Sequence, residues 1–161
     1  MIHIFSDGAA KGNPGIGGYG VIIKYNDRQK ELSQGYRLTT NNRMELIGVI
    51  VALEAIRKSE IPIRVYSDSK YVVNAIEEKW LWKWGKKGFK NTANVDLWKR
   101  YIPLRRKFRP SFMWIKGHAG HPENERCDQL AVLATRSDNL LVDAEYESSV
   151  AQKKESNRLL F

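Results

Sequence analysis

The sequence predicts an α/β fold built on a mixed five-stranded sheet, in which an antiparallel hairpin joins parallel strands and helices cover both faces. Two observations lead to this prediction. Apolar runs of strand length alternate with longer segments of helical spacing, in the order β-β-β-α-β-α-α-β-α. The polar link at 26–29 joins two of the early runs and is typical of a hairpin.

Four of the strands come from short apolar runs, and the more polar run 30–37 is predicted as the hairpin partner of 20–25. Five runs are predicted as strands: 2–6, 20–25, 30–37, 62–67 and 112–115. A glycine-rich turn over 8–15 follows the first of them. The 161 residues suffice for one domain with a buried core.

The helices are recognised by apolar residues that recur at three- and four-residue spacing. They are predicted at about 42–57, 69–78 and 95–104, with a last helix that begins near Pro122. From about residue 138 the hydrophobic pattern decays. We therefore expect 1–137 to form the folded domain and 138–161 to be a flexible tail.

The net charge of +9 is concentrated in one segment. Residues 80–110 contain ten basic residues and one acidic residue, whereas the rest of the chain carries equal numbers of each. Four of the five tryptophans lie in the same window: Trp80, Trp82, Trp84 and Trp98. A solvated basic segment anchored by tryptophans would explain the pattern, but charge confined to one segment favours a surface that binds nucleic acid.

Four acidic residues lie where a strand–helix chain would bring side chains together. Asp7 and Asp68 end predicted strands, and Glu45 and Asp128 fall in the first turns of predicted helices. Sites in open α/β sheets form outside the carboxyl ends of strands. Carboxylates gathered there repel each other unless cations neutralise them. Two hard divalent ions held in this way cut or transfer phosphodiesters.

Each carboxylate also has an ordinary structural explanation. Asp7 would belong to a glycine turn, and Glu45 would close a capping box. Asp68 would cap the next helix, and Asp128 would be a first-turn acid favoured by the helix dipole. Singly these explanations are the better ones. Together they require four accidental placements at one sheet edge.

Two histidines and a cysteine precede the last carboxylate. His118, His121 and Cys127 have loose spacing and no evident fourth ligand, and Cys127 shares a helix face with apolar residues, so zinc is not favoured. His118 lies in a glycine-flanked loop beside an acidic helix start, where it is placed to shuttle a proton. Without the neighbouring carboxylates it would be taken for an exposed loop histidine.

Four ordered stretches resemble ribonuclease H of the bacterial type 1 class. They are Ser-Asp-Gly-Ala at 6–9 with Gly-Asn-Pro-Gly at 12–15, Thr-Thr-Asn-Asn-Arg-Met-Glu-Leu at 39–46, Tyr-Ser-Asp-Ser-Lys-Tyr at 66–71, and the run 114–128 that contains Gly-His-Ala-Gly-His. The resemblance covers about residues 1–136. It makes 1–137 a catalytic domain of ribonuclease H-like fold, with a basic protrusion at about 80–94.

The resemblance implies an endonuclease that hydrolyses the RNA strand of RNA–DNA hybrids to 5′-phosphate and 3′-hydroxyl products. Asp7, Glu45, Asp68 and Asp128 would hold two Mg²⁺ ions, for which Mn²⁺ can substitute. His118 would assist proton transfer or product departure.

The resemblance also implies how the hybrid is held, because the enzyme must detect 2′-hydroxyls on one strand and their absence from the other. Asn13, Asn41 and the backbone near Gly8 would lie in the minor groove. Thr40 and Asn94 would grip a phosphate of the DNA strand.

The basic protrusion would hold the DNA strand farther from the cleavage site. Trp80 and Trp84 would pack on DNA sugars. The other expected substrate contacts are polar or basic: Asn42, Lys70, Lys86, Lys87 and Lys90. Lys70 stands where many relatives have a minor-groove glutamine, so a phosphate contact would replace that contact. Ala10 occupies a position often held by cysteine, with little expected effect.

Two rival functions fit the sequence less well than the hybrid endonuclease. Another carboxylate nuclease of the same architecture, transposase-like or exonuclease-like, would not need the tryptophan-bearing protrusion or the loop at 117–121. A non-catalytic hybrid- or duplex-binding module would not need four carboxylates. Both features therefore favour the endonuclease.

Bulk properties bear on location and assembly. The single cysteine rules out an intrachain disulfide and favours a reducing compartment. No apolar run reaches the length of a membrane span, and the N-terminus lacks the features of a signal peptide. We therefore expect a cytoplasmic monomer that binds an RNA–DNA hybrid and no membrane. The sequence does not indicate a partner for the tail.

Overall fold

The computed structural model describes residues 1–58, 60–78, 80–90 and 92–160. Its strands are β1 (Ile2–Lys11), β2 (Gly15–Tyr25), β3 (Arg28–Thr39), β4 (Ile63–Ser67) and β5 (Ser111–Trp114). Its helices are α1 (Asn41–Glu54), α2 (Lys70–Glu77), α3 (Trp80–Lys86), α4 (Val95–Phe108), α5 (Pro122–Thr135) and α6 (Ala144–Arg158).

The strands form one mixed sheet in the order β3-β2-β1-β4-β5. β2 pairs antiparallel with β1 and β3, while β4 pairs parallel with β1 and β5. The connections explain the pattern, because β2 and β3 are joined by the tight turn Asn26-Asp27, whereas β4 and β5 are reached through helices. The predicted five-stranded mixed sheet is confirmed.

Helices cover both faces of the sheet, as the alternation along β2 shows. Tyr19 and Val21 face α1, where Gly48 lies against them. Gly20 faces the opposite side, where any side chain would collide with the backbone oxygen of Cys127 in α5. Because neighbouring residues of a strand point to opposite faces, α1 and α5 lie on opposite sides of the sheet.

Helix α1 is the centre of the core. The sequence predicts one apolar face for this helix, but buried apolar residues surround it almost completely: Met44, Leu46, Ile47, Val49, Ile50, Ala52 and Leu53. A helix enclosed between a sheet and other helices has no solvent side to which polar residues would be assigned. The residues of α1 are therefore held more rigidly than those of a surface helix.

Two local predictions were wrong. The turn predicted over 8–15 is much shorter, because β1 and β2 stay paired up to Lys11 and Ile16. Glycine and alanine have low strand propensity, so the pairing partner decides their conformation here. Helix α3 was not predicted, since Leu81 is its only buried residue and it has no recurring apolar face among its described positions.

Trp98, one of the four tryptophans of the basic window, does not lie on the surface of the protein. Its side chain is fully buried. The ring centroids of Trp84, Tyr71 and Tyr101 lie 5.7, 5.8 and 6.0 Å from that of Trp98. Trp98 therefore belongs to the core on which the protrusion rests. Trp82, by contrast, is exposed, and the guanidinium of Arg105 lies 4.8 Å from its ring centroid.

The segment after residue 137 was expected to be flexible, and most of it is folded instead. Leu141 forms a parallel bridge with Tyr36, and its backbone exchanges hydrogen bonds with Gly35 and Arg37 at 2.9 and 3.0 Å. Helix α6 follows, with no buried residue of its own. Hydrophobic patterning could not reveal this segment, because its attachment is made by backbone and polar groups. Residue 161 lies outside the described residues, and a domain boundary at 137 stays a prediction.

The strongest attachment of this segment is an ion-pair network around Arg43 of α1. The guanidinium donates to both oxygens of Asp143 at 2.7 and 2.9 Å and to both oxygens of Asp96 at 2.9 and 2.7 Å. Thr39 donates a further hydrogen bond to Asp143 at 2.8 Å. Burial alone would lower the pKa of Arg43, but its hydrogen bonds to the two carboxylates outweigh burial and raise it. One buried cation thus ties α1 to α4 and to the start of α6.

No helix within the described ranges combines the length and apolarity needed to cross a bilayer.

We expect Asp143→Ala to lower the free energy of unfolding by about 3–5 kcal/mol, because it leaves a buried arginine without one of its partners. Urea unfolding followed by circular dichroism measures this change. Glu147→Ala is the matched control, since it removes an acidic residue of α6 that forms an exposed ion pair with Arg37 and should change stability little. Equal losses in the two variants would contradict the central role of Arg43.

Candidate active site

The site begins where the parallel pairing between β1 and β4 ends. The last parallel pair is Ser6 with Ser67, so Asp7 and Asp68 are the next residues on neighbouring strands. The sequence predicts that β1 ends at Asp7. In the structure the strand continues along β2 beyond this residue, and Asp7 pairs with Gly20. Asp7 is therefore held by a strand on one side while its other side faces the open edge beyond β4.

Helix α1 brings Glu45 to the same place. Its first turn approaches β1 at Gly8, where a Cβ atom would lie 2.6 Å from the backbone nitrogen of Glu45. Only glycine permits this approach without a shift of the backbone. Glu45 itself is 4% exposed, so its carboxylate is buried beside that of Asp7.

Three carboxylates converge at this point. Ligand oxygens of Asp7, Glu45 and Asp68 all lie within 4.8 Å of one another. Asp128, in the second turn of α5, lines the same open crevice but lies outside this close group. The crevice is lined by eleven residues: Asp7, Gly8, Asn41, Asn42, Glu45, Asp68, Ser69, Lys70, Tyr71, His118 and Asp128.

Burial raises the pKa of the two inner carboxyl groups. Desolvation, followed by the charge of Asp68, raises the pKa of Asp7 to about 7. Desolvation, followed by the charges of Asp7 and Asp68, raises the pKa of Glu45 well above its ordinary value. The Oε2 atom of Glu45 is buried and has no hydrogen-bond partner within the described part of the chain. A cluster of carboxylate oxygens with an unsatisfied buried acceptor suits hard divalent cations.

The ordinary explanations of the carboxylates do not agree with the structure. Thr40 caps α1 by accepting from the backbone N–H of Arg43 at 3.2 Å, so Glu45 does not close a capping box. Ser69 caps α2 by accepting from the backbone N–H of Val72 at 3.2 Å, so Asp68 is not the cap.

The same holds for the two remaining acids. Asp7 lies within a strand rather than a turn. The first-turn acids of α5 are Glu123 and Glu125, not Asp128. All four carboxylates are therefore available for another role.

The two loop histidines occupy different positions. His118 is exposed, lines the crevice and has a left-handed backbone with φ of 55°. His121 occupies the N-cap position of α5, makes no side-chain capping bond and is absent from the crevice lining.

Cys127 belongs to the core. It is fully buried, and its thiol lies 3.4 Å from the backbone oxygen of Phe5. Burial raises the pKa of this thiol to about 12, which disfavours the thiolate that a metal requires. The core position that its shared helix face with apolar residues indicates is confirmed.

The predicted groove contacts lie around the crevice. Gly8, Asn41 and Asn42 line it. Asn13 is exposed just beyond, and its Oδ1 accepts from the backbone N–H of Asn41 at 3.0 Å. The amide N–H groups of Asn13 have no acceptor among the residues that the structure describes. Thr40 directly precedes Asn41 as the cap of α1.

The predicted protrusion contacts lie outside the crevice. Trp80 and Trp84 are half-buried, with ring centroids 6.4 Å apart. Lys86, Lys87 and Lys90 are exposed at the end of α3 and in the turn that follows. Residue 91 of the predicted protrusion lies outside the described residues.

Asn94 stands immediately before α4 and has a left-handed backbone with φ of 59°. Its side chain makes no capping bond to the helix. It bonds to Arg43 and Tyr71 instead, at 3.4 and 3.0 Å.

Sequence reasoning overlooked two lining residues, Ser69 and Tyr71. Both directly follow Asp68, in the cap and first turn of α2, and that position was the available indication. The connection from Tyr71 to Asn94 could not be inferred, because 23 residues separate them in the chain.

Comparisons with known proteins agree with this geometry. The RNase H family model matches residues 1–136. A ribonuclease H from Desulforamulus reducens is 52% identical over 147 residues, covering 88% of this chain and 92% of that protein. A ribonuclease H from Rippkaea orientalis is 48% identical over 152 residues, covering 91% and 93%.

Solved structures give the same result. LC9-RNase H1, described as a type 1 RNase H with the type 2 active-site motif, superposes with a TM-score of 0.76 at 29% identity, covering 93% of this chain and 80% of that one. The chain belongs to the ribonuclease H family, whose enzymes cleave the RNA strand of RNA–DNA hybrids.

Proposed function

We propose that Asp7, Glu45, Asp68 and Asp128 hold two Mg²⁺ ions, with Mn²⁺ able to substitute, for hydrolysis of the RNA strand. The observation that carries the proposal is the convergence of three carboxylates within 4.8 Å. Burial of Asp7 and Glu45 makes their charges unfavourable without a counter-charge. Bound cations would supply it and would satisfy the buried oxygen of Glu45.

Ions held by these four carboxylates would supply activation of a water molecule and charge stabilisation of the leaving oxygen of the phosphodiester. The water oxygen bonds to phosphorus as the bond to the RNA 3′-oxygen breaks. The water loses a proton and the 3′-oxygen gains one, which leaves 5′-phosphate and 3′-hydroxyl ends. His118 is exposed at the crevice, where its imidazole would carry a proton or assist departure of the product.

The surrounding residues would select the hybrid. Hydrogen bonds in the minor groove, where RNA displays its 2′-hydroxyls, would be made by Asn13, Asn41 and the backbone of Gly8. Thr40 and Asn94 would hold a DNA-strand phosphate. Asn42 at the crevice would extend the groove contacts.

Basic and aromatic residues would hold the DNA strand beyond the crevice. Trp80 and Trp84 would pack on its sugars. Lys86, Lys87 and Lys90 would bind its phosphates. Lys70 has only donors and lies 5.3 Å from the ring centroid of Trp114 at the crevice rim, which suits a phosphate contact.

We propose further that the protein acts as a cytoplasmic monomer. A Mg²⁺ and Mn²⁺ titration with hybrid, duplex RNA and duplex DNA tests the function as a whole. Cleavage of RNA in the hybrid alone supports it. Hybrid binding without cleavage at any metal concentration would favour a binding module instead.

We expect Asp7→Asn to lower cleavage by more than about 10³-fold at saturating Mg²⁺, because it removes a ligand of the proposed ions, which contribute several kcal/mol to transition-state stabilisation. Hybrid binding should persist. In EDTA at pH 8 the variant should melt above the wild type, because the raised pKa of Asp7 means that its ionised form is disfavoured by folding.

Asp27→Asn, an exposed acid in the β2–β3 turn, is the charge-matched control and should change neither property. Substantial turnover by Asp7→Asn would contradict the proposed role of Asp7 as a metal ligand.

We expect the combined substitution of Lys86, Lys87 and Lys90 by alanine to raise KM far more than it lowers kcat, since these lysines lie outside the crevice and would bind ground and transition states alike. The slope of log affinity against log salt concentration should become shallower by up to about 0.9 for each phosphate that the variant no longer binds.

The control removes three exposed cations at the opposite end of the sheet: Lys30, Arg57 and Lys58. An equal change of salt slope in both triple variants would mean that net charge, not local contact, explains the effect.

We expect His118→Ala to lower kcat by up to about 10²–10⁴-fold, or by less if its role is product release, without preventing metal binding. His121→Ala should have a much smaller effect, because His121 does not line the crevice. The comparison uses one hybrid at a single pH and Mg²⁺ concentration. A larger loss of kcat in His121→Ala than in His118→Ala would mean that His121, and not His118, has the proposed role.

A further inference from the structure

Tyr71 connects the catalytic crevice to the aromatic core through two hydrogen bonds. Its hydroxyl oxygen accepts from the indole N–H of Trp98 and from the amide Nδ2 of Asn94, each at 3.0 Å. Trp98 is fully buried and its indole nitrogen can only donate, so the first bond anchors the hydroxyl in the core. The second bond extends that anchor to a residue on the surface.

The carboxamide of Asn94 is fixed from two sides. Arg43 donates to its Oδ1 at 3.4 Å. Because a guanidinium has no acceptor, the atom facing Arg43 must be the oxygen, and the NH₂ group must face Tyr71. Arg43 is itself held by Asp96 and Asp143, so it has little freedom to release the oxygen.

This arrangement commits one N–H of Asn94 and leaves the other available. Among the described residues, the second amide N–H has no acceptor. Asparagine at the N-cap of a helix ordinarily bonds to the helix backbone, but Asn94 makes no such bond to α4. The side chain is thus oriented by Tyr71 and Arg43 rather than by the helix it precedes.

We propose that Tyr71 is a positioning residue for the DNA-strand phosphate contact, acting through Asn94. The inference rests on the proposed role of Asn94 in gripping that phosphate. The hydroxyl of Tyr71 holds the carboxamide in one orientation, so that the remaining N–H is presented to the phosphate before the hybrid binds. Binding then does not have to restrict a freely rotating side chain.

The test compares Tyr71→Phe with Tyr101→Phe. Both variants remove one hydroxyl from the same aromatic cluster, but the hydroxyl of Tyr101 is buried with no hydrogen-bond partner in the described part of the chain. Tyr71→Phe should raise KM for the hybrid about three- to tenfold, the effect of removing one hydrogen bond. It should leave kcat within about twofold. Tyr101→Phe should leave both constants unchanged.

A second measurement separates positioning from a general loss of structure. Each variant is assayed on hybrids that carry a single uncharged methylphosphonate at successive positions of the DNA strand. On one of these hybrids Asn94→Ala should no longer raise KM. The position of the methylphosphonate in that hybrid identifies the phosphate that Asn94 binds. Tyr71→Phe should also have no effect on KM for that hybrid, because the methylphosphonate has already removed the contact that both substitutions weaken.

The outcomes are distinguishable. If Asn94→Ala is equally harmful on every hybrid, Asn94 does not hold a phosphate and its proposed function fails. If Asn94→Ala has no effect on KM for one of these hybrids while Tyr71→Phe still raises KM for the same hybrid, Tyr71 does not act through Asn94. The positioning role of Tyr71 is then contradicted, but the proposed function of Asn94 is not. A lower melting temperature of Tyr71→Phe with unchanged KM would likewise reduce Tyr71 to a structural partner of Trp98.

Discussion

The burial of two carboxylates side by side is the constraint on which the site depends. Desolvation and the charge of Asp68 raise the pKa of Asp7, while desolvation and the charges of Asp7 and Asp68 raise that of Glu45. Such a pair persists only if the surrounding structure is stable enough to hold it. The apolar residues that surround α1, and the close contact between α1 and β1 at Gly8, supply that stability. The proposed metal site would be preorganised, since the core holds Asp7 and Glu45 in place.

The charge distribution follows from the same requirement. The crevice concentrates acidic groups, so it cannot by itself attract a polyanion. Lys70 lines the crevice, but Lys86, Lys87 and Lys90 lie apart from it, at the end of α3 and in the turn that follows. The half-buried Trp84 rests on the fully buried Trp98, which ties this basic segment to the core. In the proposed function, separate surfaces for binding and cleavage would let the substrate be held by its backbone while cations neutralise the cleavage site.

A polar network links parts of the chain that are distant in sequence. Arg43 joins α1 to Asp96 at the start of α4 and to Asp143 just before α6. It also contacts Asn94, which Tyr71 connects to the crevice. The folded segment after residue 137 is therefore part of the support of the proposed phosphate site. Its exposed helix carries no core residue, so its attachment matters more than its packing.

The sequence by itself determined the order of the five strands and of the helices α1, α2, α4 and α5, the mixed sheet, and the positions of the four carboxylates. These follow from apolar periodicity and from strand ends, which are local properties of the chain. Other features depend on contacts between distant residues. Trp98 in the core, the anchored 141–143 segment and the Tyr71–Asn94 bond each required a partner that no local pattern identifies.

Resemblance to a family extended the local prediction to roles for Asn94 and His118, but it did not indicate how they are held. Glu45 illustrates the difference. Its place near a helix start was evident from the sequence, whereas its burial against Asp7 was decided by the packing of α1 on β1. Tertiary structure alone decides which polar groups lose their water, and that loss produces the raised pKa values of the site.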